Sequence, residues 1–147
     1  MIRLLRTLIL ISLFALLFFP AGQVALAHEE DPHLHVEIDI KPGSYPNSIN
    51  IRSNGKVPVA LFGSDMFDVT SVDIDSVRLH PMDRPEGGAP VNKFAYTDLN
   101  SDGYLDIIFH FRTQAIGLQP GDEMACLHGM TMTGEHFCGH DTVRVIS

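Results

Sequence analysis

The oxygen-bearing side chains between positions 98 and 106 are spaced as in a calcium-binding loop. Aspartate or asparagine occupies positions 98, 100 and 102, Gly103 follows, and a further aspartate closes the segment. Calcium takes about six to eight oxygen ligands, and alternate positions of such a loop can point toward one ion while a backbone carbonyl adds another oxygen. Gly103 stands where the chain must turn with a positive φ. The sequence predicts a Ca²⁺ site with these ligands: Asp98, Asn100, Asp102, Tyr104 through its carbonyl, and Asp106.

A plain turn is the competing interpretation, because Asp, Asn, Ser and Gly are also common turn formers. A turn between strands needs only about two to five residues, which is shorter than this segment. The loop also lacks the usual helix-loop-helix context, since Phe109 occupies the twelfth position, where a bidentate Glu normally completes an EF-hand. Apolar residues alternate from 105 to 111 with a two-residue period, so we expect this EF-hand-like loop to lead into a strand.

Residues 1–27 have the features of a secretory signal peptide. Arg3 and Arg6 precede an apolar stretch over positions 8–19, and small residues precede an expected cleavage between Ala27 and His28. The apolar stretch is shorter than the roughly 20 residues that span a bilayer. We therefore expect a secreted protein, extracellular or periplasmic, without a membrane span after cleavage. Residues 28–34 are expected to form a flexible mature N-terminus and residues 35–147 a single domain.

The charge of the chain limits its partners. Eighteen acidic residues against ten basic ones give a net charge of −8 with histidine neutral. Such a chain is a poor partner for nucleic acid, whose binding depends on basic side chains that neutralise phosphates. An extracellular protein or a glycan is the expected partner.

Cys126 and Cys138 are the only two cysteines, and export to an oxidising compartment predicts that they form a disulfide. An alternative joins Cys138 to His136 and His140 as a His-x-Cys-x-His metal site, which requires a thiolate. A separate candidate metal site is the His-x-His pair at positions 33 and 35, because residues two apart on a strand point to one side. Such a pair could bind zinc, nickel or copper. A solvated terminus gives the same composition.

Two-residue hydrophobic periods, separated by clusters of Gly, Pro, Asn and Asp, predict an all-β fold, an immunoglobulin-like antiparallel β-sandwich. Residues 36–40, 57–62 and 105–112 are predicted strands, and the chain is expected to end in a hairpin with arms 123–133 and 141–146. Pro58 cannot donate a ladder hydrogen bond, so the strand over residues 57–62 is expected to have an open edge there.

Nothing in the sequence predicts catalysis. It contains no Gly-x-Ser-x-Gly elbow, no His-Glu-x-x-His motif and no phosphate-binding loop. A second group of acidic residues is spaced too irregularly for another calcium loop and is expected to serve turns and caps: Asp65, Asp68, Asp73 and Asp75. The alternative is that some of them complete the calcium site from a neighbouring loop.

Several segments together carry a family resemblance: Asp-Ile-Lys-Pro-Gly-Ser at 39–44, Asn-Ser-Ile-Asn at 47–50, Val-Pro-Val-Ala at 57–60, Phe-Asp-Val at 67–69, and the stretch 98–111. With them the chain resembles a family of secreted bacterial calcium-binding β-sandwich modules. The resemblance implies a calcium-stabilised, immunoglobulin-like accessory domain without known activity, and it places the metal role on the same five loop residues.

The expected function is thus that of a secreted, non-catalytic calcium-binding module for adhesion or another extracellular interaction. A carbohydrate-binding module is one alternative, although the chain has no Trp and only three Tyr with which to build an aromatic platform. A histidine-based protein that binds a transition metal or hydrolyses a substrate is the other.

Overall fold

The computed structural model describes residues 33–147, and this part of the chain is built almost entirely from strands. Its only helices are two 3₁₀ segments, Val69–Ser71 and Thr113–Ile116. The all-β prediction is confirmed. Within residues 33–147, no helix is long and apolar enough to cross a membrane. The predicted signal peptide, its cleavage between Ala27 and His28, and positions 28–32 of the predicted flexible segment lie outside the described residues.

Ten strands occur in the described range. They are β1 (Leu34–His35), β2 (Ile38–Ile40), β3 (Ser48–Asn50), β4 (Lys56–Leu61), β5 (Val72–Pro81), β6 (Ala89–Thr97), β7 (Asp106–Arg112), β8 (Met124–Thr131), β9 (His136–Thr142) and β10 (Arg144–Ile146). Eight of them form one curled sheet in the order β1-β9-β8-β5-β6-β7-β4-β2, and β10 pairs with β3 in a small parallel sheet.

The curled sheet has two halves, β1-β9-β8-β5 and β6-β7-β4-β2, joined where β5 pairs with the first residues of β6. Both halves contribute to one apolar core, because inward-facing residues alternate with outward-facing ones along each strand. Phe109 and Phe111 of β7 and Leu127 and Phe137 of β8 and β9 are completely buried there. The predicted apolar alternation of β7 therefore holds from Ile107 onward, and its buried residues belong to the same core cluster as those of β8 and β9.

Strand β4 is an interior strand, so the prediction of an open edge at Pro58 is wrong for the strand as a whole. It lies between β2 and β7. The carbonyl of Pro58 accepts a hydrogen bond from the Lys41 amide (2.8 Å), and Ile40, paired with Val59, is the last residue of β2. The missing N–H of Pro58 thus falls on the side where β2 ends, which is why an inner strand tolerates it.

The C-terminal hairpin also differs from its prediction. Its second arm is β9, which starts at His136 and pairs with β8 in an antiparallel register, instead of starting at position 141. Gly139 lies inside this strand, where another segment of the chain passes close to it. A Cβ atom at Gly139 would lie 2.6 Å from the carbonyl oxygen of Val36. Both cysteines consequently lie on paired strands.

Candidate functional site

The segment 98–106 is the hairpin loop between β6 and β7, whose last paired residues are Thr97 and Asp106. Two of its residues adopt left-handed backbone conformations, Ser101 with φ 60° and Gly103 with φ 89°. Asparagine, aspartate and glycine accept this conformation more easily than most residues, and Ser101 is unusual in having it. The two left-handed residues bend the chain back over the side chain of Asp98.

The side chains predicted to bind calcium turn toward the backbone of their own loop. Asp98 accepts hydrogen bonds on both carboxylate oxygens, from the amide of Asp102 (3.2 Å) and from that of Gly103 (3.0 Å). Asn100 Oδ1 accepts from the Asp102 amide (3.3 Å), and Asp102 Oδ1 accepts from the Tyr104 amide (2.9 Å). These side chains are exposed, so water or an ion can reach their remaining lone pairs.

Asp106 differs from the other predicted ligands because it is completely buried. One of its carboxylate oxygens accepts from the amide of Gly63 (2.9 Å) and the other from the amide of Leu99 (2.7 Å). Gly63 is needed at this contact, since a Cβ atom there would lie 2.1 Å from the carbonyl oxygen of Leu105. Asp106 thus ties the loop to the segment that follows β4.

The donor set of the loop fits a hard cation in its chemistry. Carboxylate, side-chain amide and backbone carbonyl oxygens are the ligands that calcium takes. In the conformation of residues 33–147 described here, no three or more His, Cys, Asp or Glu side chains are arranged to hold one ion. The loop brings Asp98, Asn100 and Asp102 together on its exposed side, with Asp106 as its buried anchor.

The second acidic group serves local turns, in part near this loop. Asp68 caps the first 3₁₀ segment, and the hydroxyl and amide of Thr70 that donate to its carboxylate lower its pKa. Asp73 accepts from the amide of Asp75 (3.2 Å). Asp65 and Asp68 line a shallow depression together with Tyr104. The turn after β4 therefore lies beside the loop 98–106, which we call the calcium-type loop.

Two exposed aromatic residues on β6 were not predicted as a surface feature. Phe94 and Tyr96 are each 41% exposed. Their ring centroids are 5.8 Å apart, and the rings are nearly perpendicular, at 87°. A flat sugar ring stacks best on a coplanar platform, so this pair does not form the aromatic surface that the carbohydrate-binding alternative requires.

The predicted disulfide is absent from the structure: Cys126 and Cys138 are not bonded to each other. The strand register explains this, because Cys126 lies opposite His140 and Cys138 lies opposite His128. The cysteines are therefore diagonal neighbours on adjacent strands, with Cα atoms about 7–8 Å apart, beyond the usual disulfide range of about 4.4–6.8 Å.

Both cysteines and six of the eight histidines of the chain lie on the outward side of the half-sheet β1-β9-β8-β5. On β8 and β9 the inward positions are the buried Ala125, Leu127, Phe137 and Gly139, so the residues between them face outward. We call this surface the histidine–cysteine face. It consists of His33, His35, His80, Cys126, His128, His136, Cys138 and His140.

Side chains on the histidine–cysteine face contact one another in pairs. His80 Nε2 lies 2.8 Å from His128 Nδ1, and Cys138 Sγ lies 3.9 Å from His35 Nδ1. The rings of His33 and His136 meet edge to face, with centroids 5.6 Å apart. The alternatives drawn from His33 and His35 and from the His-x-Cys-x-His segment thus meet on one surface.

Burial sets the protonation of two residues at the centre of this face. Burial, and after it the neighbouring His80 and Arg78, lowers the pKa of His128, which favours its neutral form near pH 7. Burial, together with the Cys138 thiol, raises the pKa of Cys126 to about 11, so this cysteine is a thiol unless a cation stabilises its thiolate.

Sequence reasoning missed His80, Cys126 and His128 as parts of a common surface. The available signal was the two-residue spacing of Cys126-x-His128, which repeats that of the segments at 33–35 and 136–140. Spacing gives the side of a strand but not which strands are neighbours, and only the register places His80 opposite Cys126.

No family model, curated protein or solved structure matches this chain. Its motifs and its geometry therefore carry the functional argument. They present two donor sets of opposite chemistry: oxygen atoms in one hairpin loop, and nitrogen and sulfur atoms on one face of the half-sheet.

Proposed function

We propose that the protein is a secreted, non-catalytic calcium-binding β-module, in which one Ca²⁺ stabilises the loop 98–106 and the module serves an extracellular interaction. In this proposal the chain belongs with the secreted bacterial modules that its motifs resemble, and its curled sheet is a variant of their immunoglobulin-like sandwich. The single observation that carries the proposal is the wrapping of the loop around the Asp98 carboxylate above a buried Asp106.

Calcium in this loop is structural. Asp98 and Asp102 are acidic neighbours within one turn of chain, and a divalent cation relieves their repulsion while taking Asn100 and the Tyr104 carbonyl as further ligands. Because Asp106 fastens the loop to the segment after β4, ordering of the loop supports the packed sheet. Binding free energy thereby becomes folding free energy. Extracellular modules of this type bind calcium with dissociation constants of about 10⁻⁴ to 10⁻³ M. Such affinities suit a structural ion that stays bound, and not the sensing of changes in calcium concentration.

A protein is a better partner for this module than a glycan. Strand β6 pairs with β5 only at Ala89 and Pro90, so its later residues have β7 as their sheet neighbour. Phe94 and Tyr96 lie exposed on this strand, next to the calcium-type loop. An exposed strand edge accepts an extended peptide through backbone hydrogen bonds, and exposed aromatic side chains add contact area. Their perpendicular rings count against stacking with a sugar.

Calorimetric titration with Ca²⁺ tests the proposal. We expect one ion to bind per chain, and saturation at about 100 times the dissociation constant to stabilise the fold by about 2.7 kcal/mol. Asp98→Ala should abolish this binding, because it removes the carboxylate at the centre of the loop.

The control for this titration is Asp75→Ala, which removes an exposed carboxylate from β5 and should leave calcium binding unchanged. Wild-type protein that binds no calcium at millimolar concentration, or an Asp98→Ala variant that binds as wild type does, would contradict the proposal. A glycan array tests the carbohydrate alternative, which gains support only if binding there is lost when Phe94 and Tyr96 are replaced by serine.

A further inference from the structure

The centre of the histidine–cysteine face contains four sulfur and nitrogen donors on three neighbouring strands. Cys126 and His128 are two residues apart on β8 and face the same side. His80 of β5 lies opposite Cys126, and Cys138 of β9 lies opposite His128. The four positions thus form the corners of a compact quadrilateral around β8, with the strands about 4.8 Å apart.

His80 is held in the orientation that metal-binding histidines adopt. Its Nδ1 atom lies 2.8 Å from the carbonyl oxygen of Pro81, which can only accept a hydrogen bond. Neutral His80 therefore carries its proton on Nδ1 and has a lone pair on Nε2, directed at His128. Histidine ligands commonly donate their second ring N–H to a backbone carbonyl, which fixes the tautomer and the direction of the ligating nitrogen.

We propose that His80, Cys126, His128 and Cys138 bind one thiophilic d¹⁰ cation, Zn²⁺ or Cu⁺, above strand β8. Two thiolates and two imidazoles are a common tetrahedral ligand set for zinc, and soft thiolates also select Cu⁺. This site is independent of the calcium loop, whose oxygen donors select hard cations.

The proposed site requires side chains of the described arrangement to move. Two imidazole nitrogens bound to one tetrahedral Zn²⁺ at about 2.05 Å are about 3.3 Å apart. The nitrogens of His80 and His128 are now 2.8 Å apart, with the proton of His128 Nδ1 between them, so the rings must part by about half an ångström to admit the cation. The displaced proton moves to Nε2 of the same His128 ring, which keeps this imidazole neutral. Within residues 33–147 no three such donors converge in the described conformation, so the site requires Cys126 and Cys138 to turn their sulfur atoms toward the two rings.

Proton balance is also provided for. Metal binding requires both thiols to lose their protons. Both protons pass to solvent, and the ring of His35 contacts one of the two sulfur atoms, with Nδ1 3.9 Å from Cys138 Sγ. His35 is exposed on β1, at the edge of the sheet. It is a positioning residue in this proposal, and the four central side chains are the ligands.

Metal binding to reduced protein tests the proposal. Millimolar Ca²⁺ is present throughout, so that the loop 98–106 does not contribute to the measured Zn²⁺ binding. We expect one Zn²⁺ per chain in competition with a chromophoric chelator. Co²⁺ in the same site should show sulfur-to-cobalt charge transfer and the strong visible bands of tetrahedral cobalt. Cys126→Ser and His128→Gln should each weaken Zn²⁺ binding more than 100-fold, since loss of an outer hydrogen-bond partner alone costs about 10–100-fold.

Two variants separate this site from general adsorption to a histidine-rich surface. His110→Gln removes a histidine of β7, in the other half of the sheet, and should leave Zn²⁺ affinity unchanged. His35→Ala should lower it about 10–100-fold without changing the cobalt spectrum, because an outer partner is lost and no ligand.

A measurement on the wild-type protein avoids variants that fail to fold. Zn²⁺ or Cu⁺ should protect both cysteines from alkylation, as read by mass spectrometry. Equal alkylation with and without metal, a cobalt spectrum without sulfur charge transfer, or a Cys126–Cys138 disulfide in protein isolated without oxidant would overturn the proposal. Its failure would leave the calcium titration of the loop unaffected.

Discussion

The calcium-type loop and the histidine–cysteine face differ in how the chain builds them. The hydrogen bonds within the loop join residues two to seven positions apart, such as Gly103 to Asp98. On the face, His80 and His128 are 48 positions apart, and His35 and Cys138 are 103 apart. The loop therefore depends on nine consecutive residues, whereas the histidine–cysteine face forms only when four strands are paired in one register.

The two regions also differ in solvent exposure and in the cations that they suit. The loop presents exposed carboxylate and amide oxygens above one buried anchor, Asp106. The face presents imidazoles and thiols, of which His80 is buried and Cys126 is half-buried. Oxygen donors suit calcium, and nitrogen and sulfur donors suit zinc or copper. In the two proposals, the module distinguishes hard from soft cations because the two sites share no ligand.

The largest effect is expected from a substitution at Asp106, which detaches the loop 98–106 from the core. Asp106→Ala leaves the buried amide of Gly63 and the partly buried amide of Leu99 without their acceptors, and an unsatisfied buried donor costs about 1–3 kcal/mol. We expect urea unfolding with no calcium present to show a loss of about 1–3 kcal/mol from the Gly63 amide and a smaller further loss from the Leu99 amide. Asp106→Asn keeps one oxygen acceptor and should lose less. Equal stability of the alanine variant and the wild type would show that Asp106 does not anchor the loop.

A smaller effect is expected from a change beneath the face. Gly139→Ala places a methyl group against the carbonyl oxygen of Val36 and the side chain of Ile38, which forces the segment between β1 and β2 to move. Overpacking of this kind costs about 1–3 kcal/mol. Because His35 directly precedes the displaced segment, Zn²⁺ affinity should fall while calcium affinity stays as in the wild type. A variant in which calcium affinity falls instead would show that the two regions are not independent.

The smallest effect is the pH dependence that His128 gives to folding. Its pKa is lowered in the folded state by burial, then by His80 and Arg78. Below the unfolded pKa of about 6.5 the unfolded chain binds a proton that the folded chain does not, so stability falls as pH decreases through this range and levels off below the lowered pKa. Metal-free His128→Gln should show a shallower decline in melting temperature between pH 7.5 and 5.5. An unchanged slope would contradict this assignment.

The sequence predicts the parts of this molecule that depend on neighbours along the chain. The alternation of Ile107, Phe109 and Phe111 marks β7, and the spacing of Asp98 and Gly103 locates the loop, because both patterns are local. The buried role of Asp106 was not predictable, since it depends on the Gly63 amide, 43 positions away.

The wrong predictions arose where a residue meets a distant strand. The second hairpin arm, predicted to begin at position 141, begins at His136, and Gly139 within it fits against Val36. Pro58 looks like an edge residue, and its tolerance depends on where β2 ends. The disulfide was predicted from the number of cysteines and from the predicted export, and neither depends on strand register. The register makes the two cysteines diagonal neighbours.

The most direct test of two independent donor sets is one series of thermal unfolding measurements with Ca²⁺ and with Zn²⁺, under reducing conditions, on the wild type, Asp98→Ala and His128→Gln. We expect each ion to raise the melting temperature of the wild type, by about 10 °C for Ca²⁺ at 100 times its dissociation constant. Asp98→Ala should lose only the calcium response, and His128→Gln only the zinc response. Loss of both responses in one variant, or retention of both in each, would contradict the account.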